Sequence, residues 1–377
     1  MTPVRVLQVV TIMNRGGLET MLMNYYRQID REKIQFDFMV HRADEGHYDK
    51  EIEELGGKIY RMPPIKPGNY HQYFKLLDEF FEKHQEYKVV HSHINENSSF
   101  VLRAAKKANI PCRIAHSHLS DLGLDWKLPF RLYARYLMKD HPNYYFACSK
   151  NAGKWLFGKK HTKFNDVMIL NNAVNAGDFK FNETIRNKIK AELGITNELV
   201  LGHIGRFNKQ KNHEFLIDIF KAVHQKNSDA ILLMIGDGHL RPSIEKKVEK
   251  LGLTSHVKFL GVRSDIPELM QAMDIFLFPS LFEGLPVVLV EAQAAGLKCI
   301  VSNTITMESD VTGRVEFIDL NQSPGYWAEQ ISSSPFEHVD TSKELQKKGY
   351  DAATMAQWLA DFYMNYYPVE TKKFSVL

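Results

Sequence analysis

Two carboxylates eight positions apart, Glu283 and Glu291, bracket the stretch Gly284-Leu285-Pro286-Val287-Val288-Leu289-Val290, which follows the apolar run Ile275–Phe278. Proline is tolerated in the first turn of a helix, where its missing N–H costs nothing. Pro286 therefore marks a helix opening, with Glu291 one to two turns inside and Glu283 in the loop at its mouth. Gly284 and Leu285 lie in that mouth, where a glycine lets the backbone come close to a ligand and free amides form an anion site. Carboxylates so placed can accept hydrogen bonds from hydroxyls on two parts of one bound molecule, such as a sugar and a ribose. The plainer alternative is one glutamate at a helix dipole and one in solvent.

A second group lies at Gly205-Arg206-Phe207-Asn208-Lys209-Gln210-Lys211-Asn212, between the apolar run 199–203 and a helix from about His213. At such a strand-to-helix turn Arg206 can grip two oxygens of a diphosphate while Lys211 adds a point charge. Ordinary solvated loop cations are the alternative. Near the start, Asn14-Arg15-Gly16-Gly17-Leu18-Glu19 joins a strand to a helix, and Gly16 and Gly17 would bring backbone amides to a phosphate there. A plain tight turn fits equally well. The loop is not GxGxxG, and no acidic residue is spaced as a dinucleotide fingerprint requires. Gly236-Asp237-Gly238 is a third glycine turn in the same topological position.

Histidines form two pairs, His91-Ser92-His93 and His116-Ser117-His118, each at the end of an expected strand. At i and i+2 both imidazoles of a pair point to one side of a strand. Hydrogen bonding to substrate hydroxyls, acid–base work, metal ligation and simple capping of strand ends are the open readings. No carboxylate or cysteine motif accompanies the pairs and the chain has no Asp-x-Asp, so no metal site is expected.

Positioning these residues requires strands that alternate with helices. Short apolar runs at 4–10, 35–40, 58–60, 88–91, 113–115, 144–147 and 167–170 make one series; a second runs through 199–203, 230–235, 257–260, 275–278 and 299–301. Amphipathic stretches such as 19–28 and 70–84 separate them, the pattern of parallel βαβ units. The segment 171–183 is rich in Asn, Gly and Asp and lacks periodicity, which divides the chain into residues 1–175 and 176–377. An aromatic helix at about 353–367 is expected to pack back on the first domain. With 377 residues, 44% hydrophobic and 25% charged, the chain is expected to fold as two globular α/β domains, Rossmann-like, facing a central cleft. A formal charge of +3 is far from the excess of a nucleic-acid binder, so no nucleic-acid partner is expected. Three scattered cysteines without CxxC, no signal-peptide core and no run of 18 apolar residues point to a cytoplasmic protein.

Taken together these motifs resemble the retaining glycosyltransferases of the two-lobed GT-B fold, family 4 or "glycosyl transferases group 1", most strongly from Gly202 to Gly296. Beyond about residue 300 the sequence looks closest to bacterial exopolysaccharide and capsule transferases. The resemblance implies that Glu283 contacts the donor sugar and Glu291 the ribose, that Arg206 and Lys211 hold the diphosphate, and that Gly16 and Gly17 approach it from the first lobe. It implies that His118, with His116 as competitor, touches the transferred sugar; His91 and His93 receive no role. It implies a nucleotide-sugar donor, UDP-linked by family frequency, no further cofactor, and a saccharide acceptor carried on a polyprenyl diphosphate. Aromatic and basic residues through 126–139 and 154–160 suit peripheral association with the inner face of a membrane, or else an ordinary core-facing helix. A nucleotide-sugar epimerase of the same fold and a metal-dependent hydrolase built on the His-Ser-His pairs are the rival functions.

Overall fold

The computed structural model describes residues 2–66, 68–118, 128–163, 167–283 and 285–367, the side chains of 159–163 excepted. Gly284, Trp126, Lys127 and the side chains of Lys159 and Lys160 therefore lie outside the described residues.

Thirteen strands are described, in two sheets. The first contains β1 (Val4–Val10), β2 (Ile34–Val40), β3 (Ile59–Arg61), β4 (Val89–Ser92), β5 (Cys112–Ser117), β6 (Tyr144–Ala147) and β7 (Val167–Ile169), in the order β3-β2-β1-β4-β5-β6-β7. The second contains β8 (Val200–Ile204), β9 (Ile231–Ile235), β10 (Val257–Gly261), β11 (Ile275–Phe278), β12 (Lys298–Ser302) and β13 (Val315–Ile318), in the order β10-β9-β8-β11-β12-β13. Neighbouring strands are parallel throughout. Strands covered on both faces are largely apolar along their length; all seven residues of β2 are buried, and its two polar ones, Gln35 and Asp37, accept hydrogen bonds from Tyr26 and from Arg5 and Tyr87. Alternate side chains feed opposite layers. Phe276 and Phe278 of β11 join the core layer that holds Val290 and Ile305, while Ile275 and Leu277 join the one that holds Phe220 and Trp327. Each such fully buried side chain contributes about 1.5–3 kcal/mol before entropy is charged against it.

Both sheets reverse direction of growth once, between β1 and β4 and between β8 and β11. In open α/β sheets the crevice at the carboxyl ends of the strands flanking that reversal is where ligands bind. Arg206 and Lys211 follow β8, Glu283 follows β11, Gly16 and Gly17 follow β1, and the histidines end β4 and β5. Every candidate residue thus lies at or just past a carboxyl strand end, or on the helix leaving it.

By contacts the chain divides into two units. One comprises residues up to Asn172 together with the segment from Ala352 onward; the other is Ala173–Asp351. The division falls three residues before the expected boundary, and the terminal helix, Ala352–Met364, belongs by contacts to the first unit, against helix Gly17–Gln28. Strand β13 was not expected. Four residues long, with Val315, Glu316 and Phe317 only part-buried, it is an edge strand whose sequence carries no apolar run.

Candidate functional site

In the second unit Lys211 stands on a short 3-10 turn, Lys209–Lys211, whose start is capped by the Asn208 side chain accepting from the Lys211 amide at 3.2 Å. The next residue, Asn212, takes a left-handed conformation (φ 55°) and donates from its side chain to the Pro279 carbonyl, 3.1 Å. Gln210 binds the same loop twice, its side-chain amide donating to the Phe282 carbonyl (3.0 Å) and its own carbonyl accepting from the Leu281 amide (2.8 Å). The loops after β8 and β11 are therefore tied together, and the tie brings Lys211 Nζ to 2.6 Å from Glu283 Oε1. Both side chains are largely buried, 15% and 9% exposed, so removing either partner would leave an uncompensated buried charge, at a cost of about 3–5 kcal/mol. Lys211 Nζ also lies 4.4 Å from the centre of the Phe278 ring, a cation–π contact that holds the ammonium at the strand end.

Glycines make room for this arrangement. A Cβ on Gly205 would come within 3.2 Å of the Lys211 stem. At Gly236, with φ at +133°, a Cβ would meet the Gly205 carbonyl at 2.2 Å, so the turn after β9 lies directly on the turn after β8. Phe207 N–H donates to the Asp237 carbonyl at 3.0 Å across that contact.

Arg206 is exposed on this loop, and no side-chain contact joins it to the Lys211–Glu283 pair among the described residues. Helix Val287–Ala294 begins one residue after Pro286, which serves as its extended N-cap (φ −72°, ψ 119°) rather than its first turn. Leu285 is part-buried and packs on the core layer beneath that helix. Glu291, on that helix, is part-exposed as a residue but has its carboxyl buried and so pushed up to about 7, with no hydrogen bond or cation offsetting the burial among the described residues.

In the first unit Gly16 is the N-cap of helix Gly17–Gln28. Glu19 folds back over that turn, its Oε2 only 2.3 Å from where a Gly16 Cβ would stand, and burial raises its carboxyl. One of the chain's own acidic groups thus occupies the helix start at which the sequence suggested phosphate.

The four histidines meet on one face of β1, β4 and β5. Gln8 is in register with His91 across β1 and β4. His91 Nε2 lies 3.1 Å from His116 Nδ1, and His93 Nδ1 lies 3.0 Å from His118 Nε2. His91 and His93 stack with 4.2 Å between ring centres, and His116 and His118 lie 4.0 Å apart with their planes tilted by 33°. Two further residues close the group, neither of them singled out by sequence. Gln8 Oε1 is 2.9 Å from His93 Nε2, and Tyr363 of the terminal helix puts its hydroxyl 2.6 Å from His91 Nδ1 and accepts from Gln8 Nε2 at 3.3 Å. Burial drives His91, His93 and His116 far below their ordinary range and His118 to about 3, so all four are neutral at pH 7. Two buried nitrogens, His116 Nε2 and His118 Nδ1, lack a partner among the described residues, at a cost of about 1–3 kcal/mol each. Ligand atoms of His91, His93 and His116 lie within 4.8 Å of one another, but the nitrogens facing each other already share protons, which an ion would have to displace. Only the alternation of strand residues signalled this cluster in the sequence. Gln8 and Tyr363 carried no signal, because one is a lone amide in an apolar strand and the other is 355 residues away.

Parallel sheets that reverse their order of growth, with charged and polar side chains gathered at the reversal, define a class: the doubly wound α/β proteins, which bind a ligand at the carboxyl ends of their strands. Known proteins narrow it. The model for "Glycosyltransferase Family 4" matches residues 15–177 and that for "Glycosyl transferases group 1" residues 185–332. EpsF of Bacillus subtilis (strain 168) is 36% identical over 98% of this chain and 97% of its own. The capsular polysaccharide biosynthesis glycosyltransferase CapH of Staphylococcus aureus is 26% identical over 96% of this chain and 99% of its own. An Escherichia coli UDP-Gal:alpha-D-GlcNAc-diphosphoundecaprenol alpha-1,3-galactosyltransferase is 29% identical over 61% of this chain and 60% of its own. The chain belongs to the group 1, family 4 glycosyltransferases. Its fold is GT-B: the crystal structure of Anabaena HepE in complex with UDP and glucose superposes with a TM-score of 0.73 at 19% identity, covering 95% of this chain and 98% of that one.

Proposed function

We propose that the chain transfers a hexose or N-acetylhexosamine from a UDP-sugar to a lipid-linked saccharide during polysaccharide assembly, with retention of anomeric configuration. The observation that carries this reading is the buried Lys211–Glu283 pair at the β8/β11 switch point, with Glu291 on the adjoining helix. An incoming diphosphate gives Lys211 a second anionic partner, and Glu283 is then released to accept from a sugar hydroxyl. Arg206, exposed and without a partner among the described residues, is available to close on the same phosphates. Charge that develops on the departing diphosphate would be met by cations already in place. No carboxylate is needed as a covalent nucleophile, and front-side displacement, with the leaving phosphate assisting acceptor deprotonation, accounts for retention. The UDP donor is supported by the titles of HepE and the E. coli relative, the lipid-linked acceptor by the latter, and the polysaccharide role by CapH. Peripheral membrane association is supported by helix Leu128–Leu137, which exposes Leu132, Tyr133 and Tyr136, with Lys139 Nζ 4.9 Å from the Tyr136 ring. No described helix is long and apolar enough to cross a membrane.

The test is nucleotide release from a panel of UDP-, GDP- and ADP-sugars, with and without EDTA. Release from a UDP-sugar that survives EDTA is expected. Lys211→Ala and Glu283→Ala should each lower kcat/KM by 10²-fold or more, the range for losing one charged group of a preorganised site. Activity found only with metal and on other substrates would sink the reading in favour of the histidine cluster.

A further inference from the structure

The hydrogen bonds around the histidine cluster have a direction, and following it fixes every proton. Gln8 Oε1 can only accept, so His93 Nε2 carries the hydrogen in their 2.9 Å contact. His93 Nδ1 is then an acceptor, and His118 Nε2 must donate to it. His118 Nδ1 is left bare. On the other arm Gln8 Nε2 donates to the Tyr363 oxygen, so the hydroxyl hydrogen of this fully buried tyrosine is directed at His91 Nδ1. His91 Nε2–H then donates to His116 Nδ1, and His116 Nε2–H is left without an acceptor. All four rings share one tautomer. Turning the Gln8 amide over reverses every donor and acceptor together, and the four rings still agree. In either sense the two arms end on His116 Nε2 and His118 Nδ1, the cluster's two buried nitrogens without a partner among the described residues, on rings whose centres are 4.0 Å apart. One of the two always donates and the other always accepts.

We propose that Gln8 and Tyr363 are positioning residues that hold all four histidines in a single tautomer, so that the open end of the circuit binds one hydroxyl group. A hydroxyl is the group that donates once and accepts at the same oxygen, and its entry closes a ring through Gln8, His93, His118, His116, His91 and Tyr363. A carbonyl, an ammonium or a carboxylate satisfies one end and leaves the other unpaired. The hydroxyl is that of a sugar or of a bound water. The proposal rests on the sugar-transfer reading only for the first of these.

Nitrogen-15 NMR of the histidine rings in the full chain, near neutral pH, tests it. The expected result is four rings of one tautomer; a mixed set overturns the circuit. Gln8→Glu is the sharper variant, because a carboxylate accepts from His93 and Tyr363 alike. Whichever tautomer the wild type holds, His93 and His118 should then carry Nε2–H and His91 and His116 Nδ1–H, so that one pair changes and the other does not. Four unchanged rings would overturn the role of Gln8. Should that variant fail to fold, Tyr363→Phe cuts the circuit between Gln8 and His91, and only His93 and His118 should keep their assignment. Retention of the wild-type pattern by all four there is equally fatal. In Gln8→Glu both free nitrogens accept, so kcat/KM with a productive UDP-sugar should fall about tenfold, one neutral hydrogen bond lost. Adding UDP and then UDP-glucose identifies the hydroxyl. Signals of His116 and His118 that move only with the sugar assign it to substrate, and signals indifferent to both assign it to water. Absence of nucleotide release from every donor ends the transfer reading and leaves the tautomer pattern standing, while mixed tautomers overturn the circuit with turnover intact.

Discussion

Glu291 shows how much one side chain's surroundings decide. Its position in Glu-x7-Glu was legible in the sequence, but its protonation state was not, because that depends on burial supplied by the rest of the unit. With a folded pKa of about 7 against an ordinary value near 4.5, the folded protein binds more protons than the unfolded chain between those limits. The stability this group contributes is present in full below the unfolded value and is lost as pH rises through 7. Glu291→Gln should therefore leave the melting temperature unchanged near pH 4.5 and raise it at pH 8. Donor binding has the opposite trend if the ribose reads the carboxylate. Affinity for UDP should climb from pH 6 to pH 8, by up to about tenfold per unit below the pKa, and Glu291→Gln should flatten that profile. Calorimetric titration across the range separates the two effects. Lys211 and Glu283 teach the complementary lesson. Sequence assigned them to phosphate and to sugar separately, and the 2.6 Å contact between them, made by two loops 72 residues apart, is a tertiary fact.

At the scale of elements, the parallel strands were legible because strands covered on both faces are near-continuous apolar runs, and those runs are visible in β9 and β11. Edge strand β13 lacked that signature. Helix Leu128–Leu137 is the element whose role differs most between its two readings. A core-facing helix would bury its aromatics, yet Tyr133 and Tyr136 are 56% and 65% exposed while only Ala134 is buried among its own residues. Membrane attachment by this face should depend on both its aromatic and its cationic side chains. Replacing Tyr133 and Tyr136 with Ser should release the protein from vesicles that contain anionic lipid. Lys139→Glu should weaken flotation by roughly tenfold, about 1 kcal/mol for each cation near the surface. Equal flotation of all three proteins would remove the membrane from the account.

For the whole molecule, the two units differ in how the chain builds them. Ala173–Asp351 is continuous, while the other unit needs both ends of the sequence. The sequence made the aromatic terminal helix visible and left its hydrogen bond to a histidine invisible, since nothing local to Tyr363 points to His91. A fragment comprising 173–351 should fold alone and keep UDP affinity within about tenfold of any residues it retains, whereas a chain ending at 351 should express as aggregate. It would uncover the surface that Tyr363 fills, where it stacks edge-on against Phe36 at 6.0 Å. Circular dichroism and sedimentation of the two products check this, and a soluble, cooperatively melting 1–351 product would contradict it.

The discontinuous unit also sets an order on biosynthesis. The ribosome delivers β1 well before Tyr363, so the sheet that carries the histidines waits for the intervening unit to be made before its covering helix arrives. A product stopped anywhere short of that helix lacks the residue that fixes His91, whatever else has folded. The sheet that carries the histidines is therefore covered only after residues 173–351 have been made.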